Sequence, residues 1–203
     1  MNQPKNINYL SLDLELNNKN DGTTPKIIEV GIAVASPIKP EEIKKFNWYL
    51  DPQEPITPFI TELTGITDEI IKEKSVSHET VAEELGKIIR SYDCFVNPIC
   101  WGGSGFSSDA SELKEEFNQR SINFPFFGRR IFDVKTLYVF QQMTSGRNSR
   151  GGLKSALSRN KLEFIGEPHR ASDDAFNTLR LFFHYINRYK KLQKMLQDLK
   201  DTF

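Results

Sequence analysis

"YLSLDLEL", residues 9–16, alternates Leu10, Leu12, Leu14 and Leu16 with Ser11, Asp13 and Glu15. Successive side chains of a strand point to opposite faces, so the stretch has one leucine face and one acidic face. Two carboxylates side by side on one face repel each other. Either that face is simply solvated, or a cation sits on it, and eight residues leave both readings open.

The segments that follow extend the sheet. "IIEVGIAVAS" (27–36) sets Ile28, Val30, Ile32 and Val34 on one face and Glu29, Gly31 and Ala33 on the other, and "FNWYLDP" (46–52) reads as a third strand. Three successive strands with short connections predict an antiparallel meander. "PQEPITPFITELTGIT" (52–67) is a loop or short helix, and "ETVAEELGKIIRSY" (79–92) places Val81, Leu85, Ile88 and Ile89 at helical spacing. "CFVNPICW" (94–101) reads as a buried strand, followed by "GGSGFSS" and a helix, "DASELKEEFNQR" (109–120). "IFDVKTLYVFQQM" (131–143) passes from strand to helix, "GGLKSALSRN" (151–160) is a short helix, and one long amphipathic helix runs from Ala171. A meander followed by strand–helix alternation predicts an α/β fold, a mixed sheet with helices packed on it. At 203 residues the chain suits a single domain over 1–203. Within it, 187–203 forms a C-terminal helical extension. Its apolar positions Tyr189, Leu192, Met195, Leu196 and Leu199 permit folding back on the core or pairing with a second copy as a homodimer.

Composition narrows the classes. Hydrophobic residues make up 38% and charged residues 27%, with 15 Phe, which is globular rather than disordered. Lys+Arg and Asp+Glu are both 27, so any nucleic-acid binding must come from a local patch rather than bulk charge. Arg129, Arg130, Arg147, Arg150, Lys154 and Arg159 supply such a stretch. No apolar run approaches the roughly 18–20 residues that span a bilayer, and "MNQPKNIN" lacks the layout of a signal peptide. Cys94 and Cys100 have no zinc-like spacing and read as free buried thiols, which predicts a cytoplasmic location.

Other acids stand at the mouths of predicted elements. Asp109 opens the helix after "CFVNPICW", and Asp174 opens the last helix in "HRASDDAFNTL". Both positions favour a carboxylate through the helix dipole, and both are equally ordinary helix caps. His169 lies five residues before Asp174, after a Gly-Glu-Pro turn. A neutral imidazole there suits removal of a proton from water, because its ordinary pKa is about 6.5.

Taken together, Asp13-x-Glu15 on a first strand, Asp109 opening a helix and His169-x4-Asp174 near the C-terminus resemble the DEDDh (DnaQ-like) family of 3′–5′ exonucleases. "IIEVGIAV", "PFITELTGIT", "FDVKTLY", "GGLKSAL" and "HRASDDAFNTLRL" follow in the family's order, so the resemblance covers nearly the whole chain. It implies an RNase H-like fold. It also implies that Asp13, Glu15, Asp109 and Asp174 hold two Mg²⁺ ions, replaceable by Mn²⁺. His169 would then be the general base in release of nucleoside 5′-monophosphates from single-stranded RNA or DNA 3′ ends. In the family the loop at Leu63, Thr64 and Gly65 contacts the terminal nucleotide. Beside the resemblance, Phe106 in the glycine-rich stretch reads as a base-stacking candidate or as ordinary packing, and Arg150 with its basic neighbours as phosphate contacts or a solvated surface.

"WGGSGFSSDASEL" departs from the family's usual Asn-x-x-Phe-Asp, and Trp101-Gly102 is similar to the Trp-Gly-x-x-Asp of the Eri-type branch, near RNase T, which tilts the expected substrate toward RNA. Asp133 is the competing acid in "IFDVKTL", and Asp173 the neighbour that the His-x4-Asp spacing passes over. Two further readings stay open: a non-catalytic nucleic-acid-binding module on the same fold, and a proofreading subunit that acts beside a DNA polymerase.

Overall fold

β1 (Tyr9–Asn17) pairs antiparallel with β2 (Lys26–Ala35), and β2 pairs antiparallel with β3 (Lys44–Leu50). The remaining strands are two residues long: β4 (Ser75–Val76), β5 (Ile99–Cys100) and β6 (Phe132–Asp133), and all join in parallel. The sheet order is β4-β3-β2-β1-β5-β6, which places the predicted first strand near its centre. This computed structural model describes residues 7–19, 21–103 and 108–200. Seven helices are present among them: α1 (Pro58–Thr64), α2 (Asp68–Lys74), α3 (His78–Ser91), α4 (Asp109–Gln119), α5 (Val134–Thr144), α6 (Leu153–Arg159) and α7 (Ala171–Lys200).

The two faces of the sheet bury different partners. Leu10, Leu12 and Leu14 of β1 join Val30, Ile32 and Val34 of β2 against Val81, Leu85 and Ile89 of α3 and Leu113 and Phe117 of α4. On the opposite face, Ala33 and Ile99 pack with Val134 and Tyr138 of α5 and Ala175, Leu179, Phe182 and Phe183 of α7. The acidic face of β1 is therefore not a freely solvated one: Ser11 has no exposed surface, Glu15 is buried and Asp13 half-buried, and the neighbouring Glu29 of β2 has no exposed surface. A β-bulge between Glu15 and Leu16 breaks the register with β2 just past the second acid. Ile28 of β2 packs with Ile56, Ile60, Ile66 and Ile71 beneath α1 and α2.

Two expectations change. "CFVNPICW" is not a continuous strand, since only Ile99 and Cys100 enter the ladder, with an isolated bridge from Asn8 to Cys94. Pro98 has no N–H to give a ladder, and Val96 is 53% exposed. The C-terminal segment does not fold back on the core. It continues α7 as one helix, and every residue from 187 to 200 is exposed. No helix among the described residues is long and apolar enough to cross a membrane.

Candidate active site

In the β1–β2 ladder Asp13 stands opposite Gly31 and Glu15 opposite Glu29. Gly31 lets the start of α7 press onto the sheet at this point: a Cβ there would overlap the carbonyl carbon of Ala171 and the amide nitrogen of Ser172. The close approach carries Asp174, in the first turn of α7, to the acids of β1. Asp174 Oδ2 accepts from the backbone N–H of His169 at 2.8 Å, and its own N–H donates to the carbonyl of Arg170 at 2.9 Å. His169 turns the chain with φ 62°, a left-handed conformation that histidine adopts more readily than most residues. Its ring remains exposed. One ligand atom each from Glu15, His169 and Asp174 lie within 4.8 Å of one another.

The residue before α7 is held by a carboxylate that belongs to none of the sequence motifs. Glu29 Oε2 accepts from the N–H of Ala171 at 3.0 Å, while Oε1 accepts from Arg170 Nη2 at 2.7 Å. The Arg170 guanidinium lies 5.5 Å over the Tyr49 ring and also donates to its hydroxyl. An acid inside an otherwise apolar strand was the available signal, since a fully buried carboxylate needs partners. Asp173 serves differently from its neighbour. It pairs with Lys45 and accepts from the N–H of Glu167 at 3.0 Å, which fixes the Gly166–Glu167–Pro168 turn ahead of His169.

Asp109 is the first residue of α4, and the Ser108 and Ser111 side chains cap that end reciprocally. Asp133 is spent on structure. Its Oδ1 accepts from the N–H groups of Gly102, Lys135 and Thr136, and its Oδ2 accepts from the Thr136 hydroxyl, so it caps α5 and ties down the Trp101–Gly102 turn.

The electrostatics join the four acids into one site. Burial raises the Asp13 carboxyl well above its ordinary range, with further contributions from Asp109, Asp174, Glu15 and Glu29. Glu15 is pushed up to about 8, first by burial and then by Asp174, Glu29 and Asp109. Asp109 rises to about 7 through burial and Glu112, and Asp174 to about 6 through burial, opposed by the His169 N–H. Buried carboxylates that raise one another favour protons or cations. The donor set suits a hard divalent cation, which takes carboxylate oxygens and keeps several waters.

The outer residues divide. Leu63 is partly exposed at the end of α1, and Gly65 closes that helix in the left-handed region at φ 71°. The Thr64 side chain is buried, donating to the carbonyl of Ile60 at 2.8 Å and accepting from the N–H of Ile66 at 3.1 Å. Asn17, two residues beyond Glu15, accepts from the N–H of Thr57 at 2.9 Å and so ties α1 to the end of β1. Arg150 is exposed, as are Arg129, Arg130, Arg147 and Lys154. Arg159 is instead occupied by Gln142 Oε1 at 2.8 Å and the carbonyl of Asn148 at 2.6 Å. Phe106 lies outside the described residues.

Comparison with known proteins agrees with this architecture. The RNase_T exonuclease family model matches residues 10–182. A PolC-type DNA polymerase III from Streptococcus pyogenes serotype M18 (strain MGAS8232) is 24% identical over 157 residues, which is 77% of this chain but 10% of the polymerase. Among solved structures, the nuclease domain of 3′hExo, a DEDDh family member seen bound to rAMP, superposes with a TM-score of 0.75 at 16% identity, covering 91% of this chain and 94% of that one. Cell-death related nuclease 4 (CRN-4) gives 0.74 at 18% identity, covering 89% and 64%. With its sheet, its acids and 173 consecutive positions (10–182) matched to one family model, this chain belongs to the RNase_T exonuclease family and has the RNase H-like fold of the DEDDh 3′ exonucleases.

Proposed function

We propose that the chain is a metal-dependent 3′–5′ exonuclease that hydrolyses single-stranded nucleic acid, RNA in preference to DNA, to nucleoside 5′-monophosphates. The observation that carries this reading is that ligand atoms of Glu15, His169 and Asp174 lie within 4.8 Å of one another, with Asp13 and Asp109 close enough that, beyond burial, the Asp109 charge raises both the Asp13 and the Glu15 carboxyl. These four acids would hold two Mg²⁺ ions, or Mn²⁺ in their place. Bound there, the cations supply positive charge for the attacking water and the leaving oxygen of the phosphodiester.

The chain's own groups do the rest. The exposed His169 ring takes the proton of the attacking water, on a turn that the bond from the His169 backbone N–H to Asp174 fixes. Leu63 and Gly65 meet the terminal nucleotide, and the exposed Arg150 and its basic neighbours bind phosphates without reading sequence. The preference for RNA rests on Trp101-Gly102, with support from the 3′-exonuclease structure solved in recognition of the histone mRNA stem-loop, a fold neighbour with a TM-score of 0.75. Two buried free thiols fit work in the reducing cytoplasm.

Digestion of 5′-labelled single-stranded RNA and DNA of one sequence, with Mg²⁺, Mn²⁺ or EDTA, tests the proposal. A ladder that shortens from the 3′ end, needs the cation and disappears in Asp13→Ala is expected. Binding of either strand without shortening in any cation would leave the protein a binding module, and faster loss of DNA would reverse the preference.

A further inference from the structure

The last part of α7 leaves the body of the protein with an unfinished surface. Residues 187–200 are all exposed and continue the helix for about 21 Å. Tyr185, Tyr189, Leu192, Leu196 and Leu199 succeed one another at steps of four, three, four and three, the spacing of a single apolar seam along a helix. Tyr189, Leu192, Leu196 and Leu199 are each at least half exposed. Alongside runs the outer face of α5, where Phe140 is 67% and Met143 69% exposed. Between the two helices lies a groove of about 850 Å³ lined by Leu137, Phe140, Ile186, Tyr189, Leu192 and Met195. An isolated helix of this length is marginal in water, so a bare seam of this kind gains from a partner.

The charges around the groove say what kind. Residues 187–200 carry Arg188, Lys190, Lys191, Lys194 and Lys200 against one acid, Asp198, in a chain whose formal net charge is zero. Arg188, Lys190 and Lys191 themselves line the groove. A second copy would meet this basic segment with its own. A nucleic-acid strand would answer the cations and leave the aliphatic seam unburied. An amphipathic helix with acidic flanks satisfies both features, by laying its apolar stripe into the groove and its carboxylates against the rims.

We propose that the groove between α5 and the distal half of α7 docks an acidic amphipathic helix of a partner protein. Asp174 sits in the first turn of the same helix, and the groove's lining on α7, Tyr185 to Met195, lies about 17–32 Å from it along the axis. The partner lies on the later turns of α7, so docking tethers the enzyme while the helix start that carries Asp174 stays open. This assignment stands on the surface alone and does not depend on the substrate.

The test is fluorescence anisotropy of the full chain with a labelled 21-residue helical peptide that carries leucines at i, i+3, i+4 and i+7 and glutamates on its flanks. A second peptide has the same leucines with lysine flanks, and light scattering reports the mass of the chain alone. Expected are saturable binding of the acidic peptide, at least tenfold weaker binding of the basic one, and a monomer. Leu192→Glu with Leu196→Glu, and separately Phe140→Glu, should each weaken the acidic peptide at least tenfold. All three positions are solvent-exposed, and unchanged circular dichroism verifies the fold. Equal affinity for both peptides, or no binding, overturns the proposal. A dimer that these substitutions return to monomer overturns it in favour of a second copy. Single-stranded RNA that binds the groove in place of the acidic peptide, with affinity lost in the same variants, overturns it in favour of nucleic acid.

Discussion

Glu29 and Arg170, 141 residues apart in the chain, form an ion pair at 2.7 Å directly beside the turn that presents His169. The carboxylate has no exposed surface and simultaneously holds the first N–H of α7. Removing either charge leaves the other in a poorly solvated place, which costs about 3–5 kcal/mol for a buried pair. Glu29→Gln should therefore lower the urea midpoint clearly, and it should reduce kcat more than KM because it loosens the helix start rather than the substrate surface. An unchanged kcat in a destabilised variant would limit the pair to a structural role.

Gly31→Ala makes a complementary case. Its methyl group would meet the backbone of Ala171 and Ser172, which cannot turn aside as a flexible side chain can. The start of α7 must shift, and Asp174 shifts with it. A displacement on the order of 1 Å at a reacting centre can cost about 100-fold in rate, so kcat/KM should fall by about that factor, against about 1–3 kcal/mol of stability from overpacking.

The site acids set a pH dependence with a definite sign. Glu15 is held near 8 in the folded chain against an ordinary value of 4.5, with Asp109 near 7 and Asp174 near 6. The folded state binds these protons more tightly than the unfolded chain does. Their stabilisation is complete below the ordinary carboxylate values and is lost as pH rises through 6 to 8. In EDTA, Tm should fall between pH 5 and pH 8.5 by more than about 4 °C, since a chain of this size shifts by about 2–4 °C per kcal/mol. Mn²⁺ should restore more at pH 8 than at pH 5. A Tm that rises with pH in EDTA would contradict the charge arrangement.

His169 and Asp174 should separate under the same assay. His169→Ala should cut single-turnover cleavage by about 10²–10⁴-fold, the usual scale of a general base, while keeping the Mn²⁺-induced rise in Tm. Asp174→Asn should lose both. If His169→Ala also abolishes the Mn²⁺ response, the imidazole is a ligand rather than a base.

The residues that could be read from the sequence are those whose role is local in the chain. Alternation in 9–16 gives β1 and its two faces, and the five-residue step from His169 separates Asp174, which faces the site, from Asp173, which is taken up by Lys45 and Glu167. What could not be read depends on partners distant in sequence. Nothing near Glu29 announces Arg170, and nothing near Gly31 announces Ala171. Arg159 looks like its exposed basic neighbours until the fold brings Gln142 and Asn148 against it. The strand expected over 94–101 fails for a local reason, the missing N–H of Pro98.

The reciprocal bonds between Ser108 and Ser111 set the first turn of α4 from within, with the Ser108 N–H donating to Ser111 Oγ at 2.7 Å and the Ser111 N–H to Ser108 Oγ at 3.2 Å. The bearing of Asp109 is thus fixed by its own helix and by Leu113 and Phe117 beneath it. Such an arrangement makes the first turn of α4 a self-contained mount: carried with its helix into another scaffold, the carboxylate would keep its address.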